Sequence, residues 1–372
     1  MPPRTVALHA GQLLQPVPGG IGRYVRSLLG ALPGAGVEPV AFAAGRRPDD
    51  LDVTWIDLGP PPAPARYELW HRLRRPLVRA PGEVLHATSL AVPPAGGRPL
   101  VVTVHDLVFL RQPEHLTPRG VAFHRRGLDL ARRDAAVIVV PTAWGRDDLL
   151  AEGFAAGRVH VAHHGVEVGA DPGPEVTQAV LGRLGVRTPF VLFASTIEPR
   201  KGAADLVAAH AAVRAERPDL DLQLVMAGPA GWGEPPDLDR PGVVVLGKVG
   251  DVELEVLYRQ ALALAHPARY EGFGMQVAEA MGRGCPVVTT DAACLPEVAG
   301  GAADLVPVGD VEALGAALLR LVEDREHRAE RGAAGAARAA ALTWAASATA
   351  HAAAYAAAAE AGAGSHAAGR RR

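Results

Sequence analysis

Short apolar runs alternate with helical patterns along most of the chain. Runs such as "TVALHA", "VEPVAFAA", "LVVTVHDL" and "AVIVVPT" have the length and β-branched content of buried strands. Stretches such as "IGRYVRSLLGAL" and "RGVAFHRRGLDLARR" lie between them and have helical periodicity. This alternation predicts βαβ units, with parallel strands and helices on both faces of the sheet.

The alternation pauses at residues 163–176, where glycine and proline concentrate, and then restarts with "FVLFAST", "LQLVMAG", "VVVLGKV", "LALAHPA" and "CPVVTTD". Two similar halves predict two Rossmann-like domains. In such sheets ligands bind beyond the carboxyl ends of the strands. The predicted boundaries are an N-terminal domain at 1–168, a linker at 169–186, a second domain at 187–341, a closing helix at 342–361 and a disordered tail at 362–372.

Composition narrows the function classes. The chain has 372 residues, 38 Lys plus Arg and 40 Asp plus Glu, which give a formal net charge of −2. This balance does not indicate a nucleic-acid partner. Cys285 and Cys294 are the only cysteines and match neither a disulfide framework nor a zinc site. The sequence has no signal-peptide pattern and no run of about 20 apolar residues, so we expect a cytoplasmic protein.

The stretch "YEGFGMQVAEAMGRGCPVVTTD" places two carboxylates around a glycine-bracketed helix start. We expect the helix to begin at Gly272–Gly274, where backbone N–H groups attract anions. Glu271 precedes this start and Glu279 lies about a turn and a half into the helix, so the two can accept hydrogen bonds from hydroxyls at separate points. The alternative is a carboxylate that caps the helix dipole and another on a solvated face.

Three further elements follow predicted strands. Arg200-Lys201 opens a helix and suits a diphosphate, although it also fits a solvated basic pair. His105 ends an apolar strand and can donate to a substrate hydroxyl or act as an acid or base; the alternative is a structural histidine bonded to a loop carbonyl. Gly19 and Gly20 lie in a loop that suits phosphate but lacks the dinucleotide-binding fingerprint.

Together, "GGIGRYVRSLL", "TVHDL", "STIEPRKG" and "YEGFGMQVAEAMGRGCPVVTTDAACLPEVAGGAADLV" closely resemble the family-4 retaining glycosyltransferases of GT-B fold. The resemblance covers nearly the whole chain, and the glutamate segment is its most specific part. It implies an α/β fold with two Rossmann-like domains whose parallel sheets face across a cleft. It also implies a C-terminal helix that crosses back to the N-terminal domain.

The resemblance implies a role for each matching residue. Glu271 is expected to contact the donor sugar, Lys201 to neutralise the leaving diphosphate, and His105 to point at the transferred sugar. The other residues implied to bind the donor are Arg200 at the diphosphate, Glu279 at the ribose, Gly272, Phe273, Gly274 and Met275 near the sugar and phosphates, Gly19 and Gly20 at the phosphates, and Lys248 and Val249 at the base. The sequence departs from the family pattern at two places. Many relatives have an arginine upstream of the phosphate-binding lysine, where this chain has Ser195 and Thr196. Gln276 replaces a residue that is commoner in the family after the glycines.

The implied reaction transfers a hexose from a nucleoside diphosphate sugar with retained configuration. We expect GDP-mannose as the donor, with a UDP-hexose as the alternative, and a saccharide or lipid-linked glycan as the acceptor. The leaving phosphate is implied to deprotonate the acceptor hydroxyl. No cofactor is expected, and no metal, because the three "DLD" stretches lie in polar, turn-like surroundings.

Two helical segments bear on partners. Residues 64–83 predict a basic amphipathic helix that suits an acceptor or an anionic membrane, with a core-facing apolar stripe as the alternative. Residues 124–126 (His-Arg-Arg) form a second basic cluster. In the C-terminal helix, Trp344, His351 and Tyr355 recur at helical spacing and are predicted to face the core. Two other functions remain open, namely a sugar-nucleotide epimerase of similar architecture and an inactive scaffold.

Overall fold

The computed structural model describes residues 3–231, 233 and 236–369, with backbone alone for 364–369. The chain divides into two compact units. Unit 1 comprises Met1–Gly165 and Thr343–Arg372, and unit 2 comprises Val166–Leu342. Among the described residues, no helix has both the length and the apolar character that a bilayer span requires.

Unit 1 contains a seven-stranded parallel sheet with the order β3-β2-β1-β4-β5-β6-β7. The order reverses between β1 and β4, which makes their carboxyl ends the switch point of this sheet. The strands are β1 (Thr5–His9), β2 (Glu38–Ala43), β3 (Thr54–Asp57), β4 (Val84–Ala87), β5 (Leu100–Thr103), β6 (Val137–Val140) and β7 (Val159–Val161).

The helices of unit 1 connect these strands, and the last one returns from the far end of the sequence. Its helices are α1 (Gly19–Ala31), α2 (Ala63–Leu73), α3 (Val108–Arg111), α4 (Pro118–Asp134), α5 (Ala143–Ala151) and, from the C-terminal segment, the helix Trp344–Gly369. That final helix packs against α1 and against β4 to β7. The predicted return of the C-terminal helix to the N-terminal domain is confirmed.

A chain of buried hydrogen bonds fastens the final helix to unit 1. His351 donates from Nδ1 to the carbonyl of Ser347, so its Nε2 must accept from the Tyr24 hydroxyl. The same reasoning identifies the donor in each of the other hydrogen bonds of this series. The bonds run from Tyr355 to His86 Nδ1 (2.9 Å), from His86 Nε2 to Thr103 (2.8 Å), from Thr103 to Tyr24 (2.9 Å) and from Tyr24 to His351 (2.9 Å).

Unit 2 repeats the arrangement with a six-stranded parallel sheet of order β10-β9-β8-β11-β12-β13. Its switch point lies between β8 and β11. The strands are β8 (Phe190–Ala194), β9 (Gln223–Ala227), β10 (Val243–Gly247), β11 (Ala263–His266), β12 (Val287–Thr290) and β13 (Asp304–Val306).

The helices of unit 2 cover both faces of this sheet, and one apolar cluster lies on each side. Strands β8, β9, β11 and β12 are buried along their whole length. This explains why they are continuous apolar runs in the sequence rather than alternating ones. The helices are α6 (Gly173–Leu184), α7 (Ala203–Glu216), α8 (Asp251–Gln260), α9 (Met275–Gly282), α10 (Leu295–Ala299), α11 (Val311–Glu323) and α12 (Arg325–Ala339); numbering the final helix in chain order makes it α13.

The structure differs from the sequence prediction in several places. The predicted linker at 169–186 carries α6, which begins with proline in its first turn and ends at Gly185 in the left-handed conformation. The helix predicted over 64–83 is wrong beyond Leu73, because Arg74 has a φ of 51° and Pro76 follows it. Helix α13 is described as far as Gly369, and residues 370–372 of the predicted tail lie outside the described residues.

Candidate active site

The switch point of unit 2 brings together two loops that follow neighbouring strands. One loop follows β8 and ends in a short 3-10 helix at Pro199–Lys201, and the other follows β11 and leads into α9. Both loops lie at the carboxyl edge of the sheet because β8 and β11 are parallel. Sequence reasoning predicted functional residues in both loops.

Gly202 explains how the two loops approach each other. It has a φ of +70°, and a Cβ at this position would lie 2.0 Å from the carbonyl oxygen of Pro267. Only glycine accepts both the left-handed backbone and this close contact. The close approach places the Lys201 side chain against the loop that carries Glu271.

Glu271 is the centre of a buried polar cluster. Its Oε1 pairs with Lys201 Nζ and accepts a hydrogen bond from His266 Nε2 at 2.8 Å. Arg200 Nη1 lies 3.5 Å from the other oxygen, Oε2. Glu271 and Lys201 are each 7% exposed, so neither belongs to a solvated face. The solvated-pair alternative for Lys201 is therefore wrong.

The electrostatics of the cluster keep Glu271 ionised. Burial raises the pKa of Glu271, but Lys201, the hydrogen bond from His266 and Arg200 together outweigh burial and hold that pKa well below its usual range. Burial lowers the pKa of His266 despite its bond to Glu271, so this imidazole is neutral. Within the described residues, His266 Nδ1 has no hydrogen-bond partner.

Arg200 also binds groups other than Glu271. Its Nη2 binds Glu198 Oε1 at 2.8 Å, and its Nη1 donates to the carbonyl of Tyr270 at 3.0 Å. Lys201 is also one of only two lysines in the chain, the other being Lys248. A sequence that uses arginine almost everywhere else thus places a compact ammonium group at this position.

The glycine segment forms the entry to α9, as predicted. Gly274 precedes Met275 with a φ of +81°, and a Cβ there would lie 2.7 Å from Cδ2 of Leu295. Gly272 and Phe273 lie between this entry and Glu271, and the Phe273 ring is buried in the core. The first turn of α9 therefore begins directly beside the Glu271 cluster, with its backbone N–H groups at that end.

Glu279 lies on α9 and is also buried. Its Oε2 accepts a hydrogen bond from the hydroxyl of Tyr258 on α8 at 3.0 Å. Lys248 and Val249 follow β10 directly; Lys248 is exposed and Val249 packs against the core. Glu279, Lys248 and Val249 therefore all lie in unit 2, as Glu271 and Lys201 do.

The other predicted site residues belong to unit 1. His105 follows β5, and its Nε2–H donates to the carbonyl of Thr88 at 2.9 Å. Burial lowers the pKa of His105, so the ring is neutral with its lone pair on Nδ1. In this state His105 accepts rather than donates hydrogen bonds at Nδ1. Gly19 and Gly20 are the first two residues of α1 and are exposed.

The basic segment around α2 combines buried and exposed residues. Arg66 is 3% exposed and donates to the carbonyls of Leu58, Gly59 and Pro60, while Trp70 is fully buried. Leu73, by contrast, is 65% exposed. The core-facing alternative is thus confirmed for one face of α2.

Among the residues that the structure describes, no group of three or more His, Cys, Asp or Glu side chains is arranged to hold a metal ion. In the three "DLD" stretches, Asp50, Asp219 and Asp237 form ion pairs with nearby arginines.

Sequence reasoning missed three polar residues of the unit 2 site. His266 ends the apolar strand "LALAH" just as His105 follows β5, so its position at a strand end was an available signal. Tyr258 gave no such signal, because its role depends on a contact with Glu279, 21 residues away in sequence. Glu198 lies two residues before its partner Arg200, but a glutamate beside a basic pair is too common to indicate a site.

Comparison with known proteins agrees with this architecture. The model of the family described as "Glycosyltransferase Family 4" matches residues 18–170, and that of "Glycosyl transferases group 1" matches residues 188–324. Two solved structures share the fold over nearly the whole chain. Sucrose-phosphate synthase from Thermosynechococcus elongatus has a TM-score of 0.71 at 20% identity, covering 93% of this chain and 96% of that one; Anabaena HepE in complex with UDP-glucose has 0.73 at 18%, covering 94% and 98%.

Three curated relatives are similar in sequence. The Escherichia coli O-antigen chain mannosyltransferase B is 28% identical over 66% of this chain, and the MMP alpha-(1->4)-mannosyltransferase of Mycolicibacterium hassiacum is 32% identical over 61%. The chain spans 66% and 57% of the lengths of these two relatives. The alpha-maltose-1-phosphate synthase of Mycolicibacterium smegmatis is 30% identical over 65% of this chain and 68% of its own length. The chain belongs to the family-4 glycosyltransferases and has their GT-B fold of two Rossmann-like units.

Proposed function

We propose that the protein is a retaining glycosyltransferase that moves a hexose from a nucleoside diphosphate sugar to a saccharide or lipid-linked glycan, without a metal ion. The observation that supports this most directly is the buried pairing of Lys201 with Glu271 at the switch point of unit 2. Buried charges are rare unless paired, and they concentrate at functional sites.

The cluster matches the two chemical halves of such a donor. Lys201 and Arg200, beside the first turn of α9, provide positive charge for a diphosphate. Glu271 is ionised and can accept hydrogen bonds from sugar hydroxyls. Glu279, on the same helix, can accept from the ribose hydroxyls. The groups for the diphosphate and the sugar lie at the entry to α9 and Glu279 lies further along this helix, which suits one extended ligand.

In the proposed reaction the bond between the anomeric carbon and the β-phosphate oxygen breaks, and its electron pair stays on the phosphate. The acceptor oxygen bonds to the anomeric carbon on the same face. The acceptor proton passes to the leaving phosphate. Negative charge grows on the phosphate during this step, so Lys201 binds the transition state more strongly than the ground state. Glu271 and Glu279 do not act as the acid and nucleophile of a glycosidase.

His105 contributes a hydrogen-bond acceptor in this proposal. Its neutral ring and its bond to the carbonyl of Thr88 leave Nδ1 to accept from a hydroxyl of the transferred sugar. We assign it no proton transfer.

The donor is proposed to be GDP-mannose, with a UDP-hexose as the alternative. Two relatives are named as mannosyltransferases, which supports mannose. A solved structure of the same fold is described with UDP-glucose, which supports a nucleoside diphosphate sugar in general. The name of the Escherichia coli relative, an O-antigen chain enzyme, supports a glycan acceptor.

A thermal-shift titration tests the proposal. GDP, UDP, ADP and their hexose conjugates are each added with EDTA and, separately, with Mg²⁺. A nucleotide that binds only the folded protein raises the melting temperature. We expect one base to give a clear shift that EDTA leaves unchanged. If no nucleotide shifts a well-folded sample, the donor assignment fails.

Transfer itself is tested with Lys201→Ala and the matched surface variant Arg240→Ala. Arg240 forms an exposed ion pair with Asp237 and should be dispensable. We expect Lys201→Ala to lose transfer while it remains folded. Donor turnover without any acceptor would instead indicate the epimerase. A wild-type protein that shows no transfer, and whose partner binding Lys201→Ala leaves intact, would support a scaffold.

A further inference from the structure

The carboxylate of Glu279 accepts a hydrogen bond from a buried tyrosine, Tyr258. Tyr258 is 1% exposed and Glu279 is 6% exposed. The Tyr258 hydroxyl donates their 3.0 Å hydrogen bond to Glu279 Oε2. This bond joins α8 to α9 and fixes the direction of the Glu279 side chain.

Arg283 in turn immobilises Tyr258. Its guanidinium carbon lies 5.3 Å from the centre of the Tyr258 ring. Its Nη1 donates to the backbone carbonyl of Glu279 at 2.9 Å, and its Nε and Nη2 bind Glu255 Oε2 at 2.8 and 2.5 Å. Glu255 lies one turn before Tyr258 on α8. The same helix therefore provides both the aromatic ring and the carboxylate that holds Arg283 against that ring.

A second arginine extends this arrangement to the beginning of unit 2. Arg259 binds the other oxygen of Glu255, Oε1, at 2.7 Å and donates to the carbonyl of Gly169 at 2.9 Å. Arg283 Nη2 reaches the carbonyl of Glu167 at 3.1 Å. Glu255 is buried, and each of its oxygens accepts from an arginine. The paired charges make this a rigid clamp rather than a solvated surface pair.

We propose that Tyr258 is a positioning residue that sets the ribose selectivity of the nucleotide site, with the Glu255–Arg283 pair holding it in place. The inference rests on the proposed function, in which Glu279 accepts hydrogen bonds from the ribose. A carboxylate whose direction is fixed before binding loses less conformational freedom when the ligand arrives. Tyr258 therefore strengthens binding of ribonucleotides and does not affect nucleotides that lack the ribose hydroxyls.

The test compares GDP with 2′,3′-dideoxy-GDP by calorimetric titration, or the matching UDP pair if uridine is the base that binds. The wild-type protein should prefer the ribonucleotide. Tyr258→Phe keeps the ring under Arg283 and removes only the hydroxyl. We expect the variant to bind the ribonucleotide roughly tenfold more weakly. Its affinity for the dideoxynucleotide should not change, and the donor KM should rise more than kcat falls.

Tyr355→Phe is the matched control, because it removes another buried tyrosine hydroxyl, one that bonds to His86 in unit 1. It should leave the ribose preference unchanged. If Tyr258→Phe keeps the wild-type preference, or weakens both nucleotides equally, the positioning role is refuted. A wild-type protein that binds neither nucleotide would refute the proposed function instead.

A second variant covers the case in which Tyr258→Phe does not fold. Arg283→Lys keeps the positive charge and loses the fork that binds Glu255, so Tyr258 gains freedom of movement. This variant should also reduce the ratio of ribonucleotide to dideoxynucleotide affinity. An unchanged ratio in a folded Arg283→Lys protein would count against the clamp.

Discussion

Replacing Glu271 with glutamine should have opposite effects on nucleotide binding and on sugar transfer. In the free protein, Glu271 neutralises Lys201 and lies 3.5 Å from Arg200. A bound diphosphate needs the same positive charge, so the carboxylate competes with it. Glu271→Gln keeps the shape of the side chain and removes the competing charge.

The magnitude follows from Coulomb's law. Two like charges at about 6 Å with an effective dielectric constant of about 20 repel by roughly 3 kcal/mol, and part of this remains after screening. We expect about 2 kcal/mol of tighter binding for the nucleoside diphosphate, or roughly 30-fold in Kd. The ligand-free protein should lose about 2 kcal/mol of stability, because a charge-assisted hydrogen bond is weakened in a buried site.

Calorimetric titration with the nucleoside diphosphate measures the gain in affinity, and a single-turnover assay measures transfer. Transfer should fall by about 100-fold or more, since the amide accepts more weakly from the sugar hydroxyl. Glu330→Gln is the control, because Glu330 forms an exposed pair with Arg331 and the charge change is identical. Nucleoside diphosphate binding that weakens or stays the same in Glu271→Gln would refute the competition between carboxylate and phosphate.

Three further predictions concern single residues. Lys201→Arg keeps the charge, but the larger planar group does not fit the buried position beside His266. Transfer should therefore fall by about 100-fold or more in steady-state assays, while nucleotide affinity changes less. Near-wild-type transfer would show that charge alone is sufficient. Gly202→Ala should destabilise unit 2 by about 3 kcal/mol, measured by chemical denaturation, because its Cβ would lie 2.0 Å from a carbonyl oxygen at a positive φ; a loss below about 1 kcal/mol would mean that the loop relaxes freely. Burial lowers the pKa of His351 from 6.5 to about 4. Between these pH values the unfolded chain binds a proton at this residue and the folded chain does not. The contribution to stability should therefore be full above pH 6.5, and stability should fall by about 3 kcal/mol as the pH drops to 4. His351→Gln, which does not titrate, should show a shallower loss over this range, and an unchanged slope would refute the assignment.

Much of the architecture is encoded locally. Strands with both faces covered appear as continuous apolar runs, and this signal predicted β1, β2, β5, β6, β8, β9, β11 and β12. Strand β7 has only three residues, two of them partly exposed, and its pairing with β6 makes it a strand. Helix α2 ended earlier than its amphipathic pattern indicated because Arg74 adopts the left-handed conformation before Pro76.

The sequence by itself determined the main proposed donor-binding groups of the site, but not His266, Glu198 or Tyr258. The order of "RKG", the two glutamates and the glycine entry to α9 specified which residues lie after which strands, because those signals depend on near neighbours in the chain. Only the tertiary structure decided how these groups share their charge. Lys201 meets Glu271 and His266 only when β8 and β11 pair, and Glu279 meets Tyr258 only when α8 packs against α9. Burial then lowers the local dielectric constant, which makes the interaction between an ordinary lysine and an ordinary glutamate strong. Burial is a property of the folded chain and not of any single segment, so the sequence of these segments alone could not predict it.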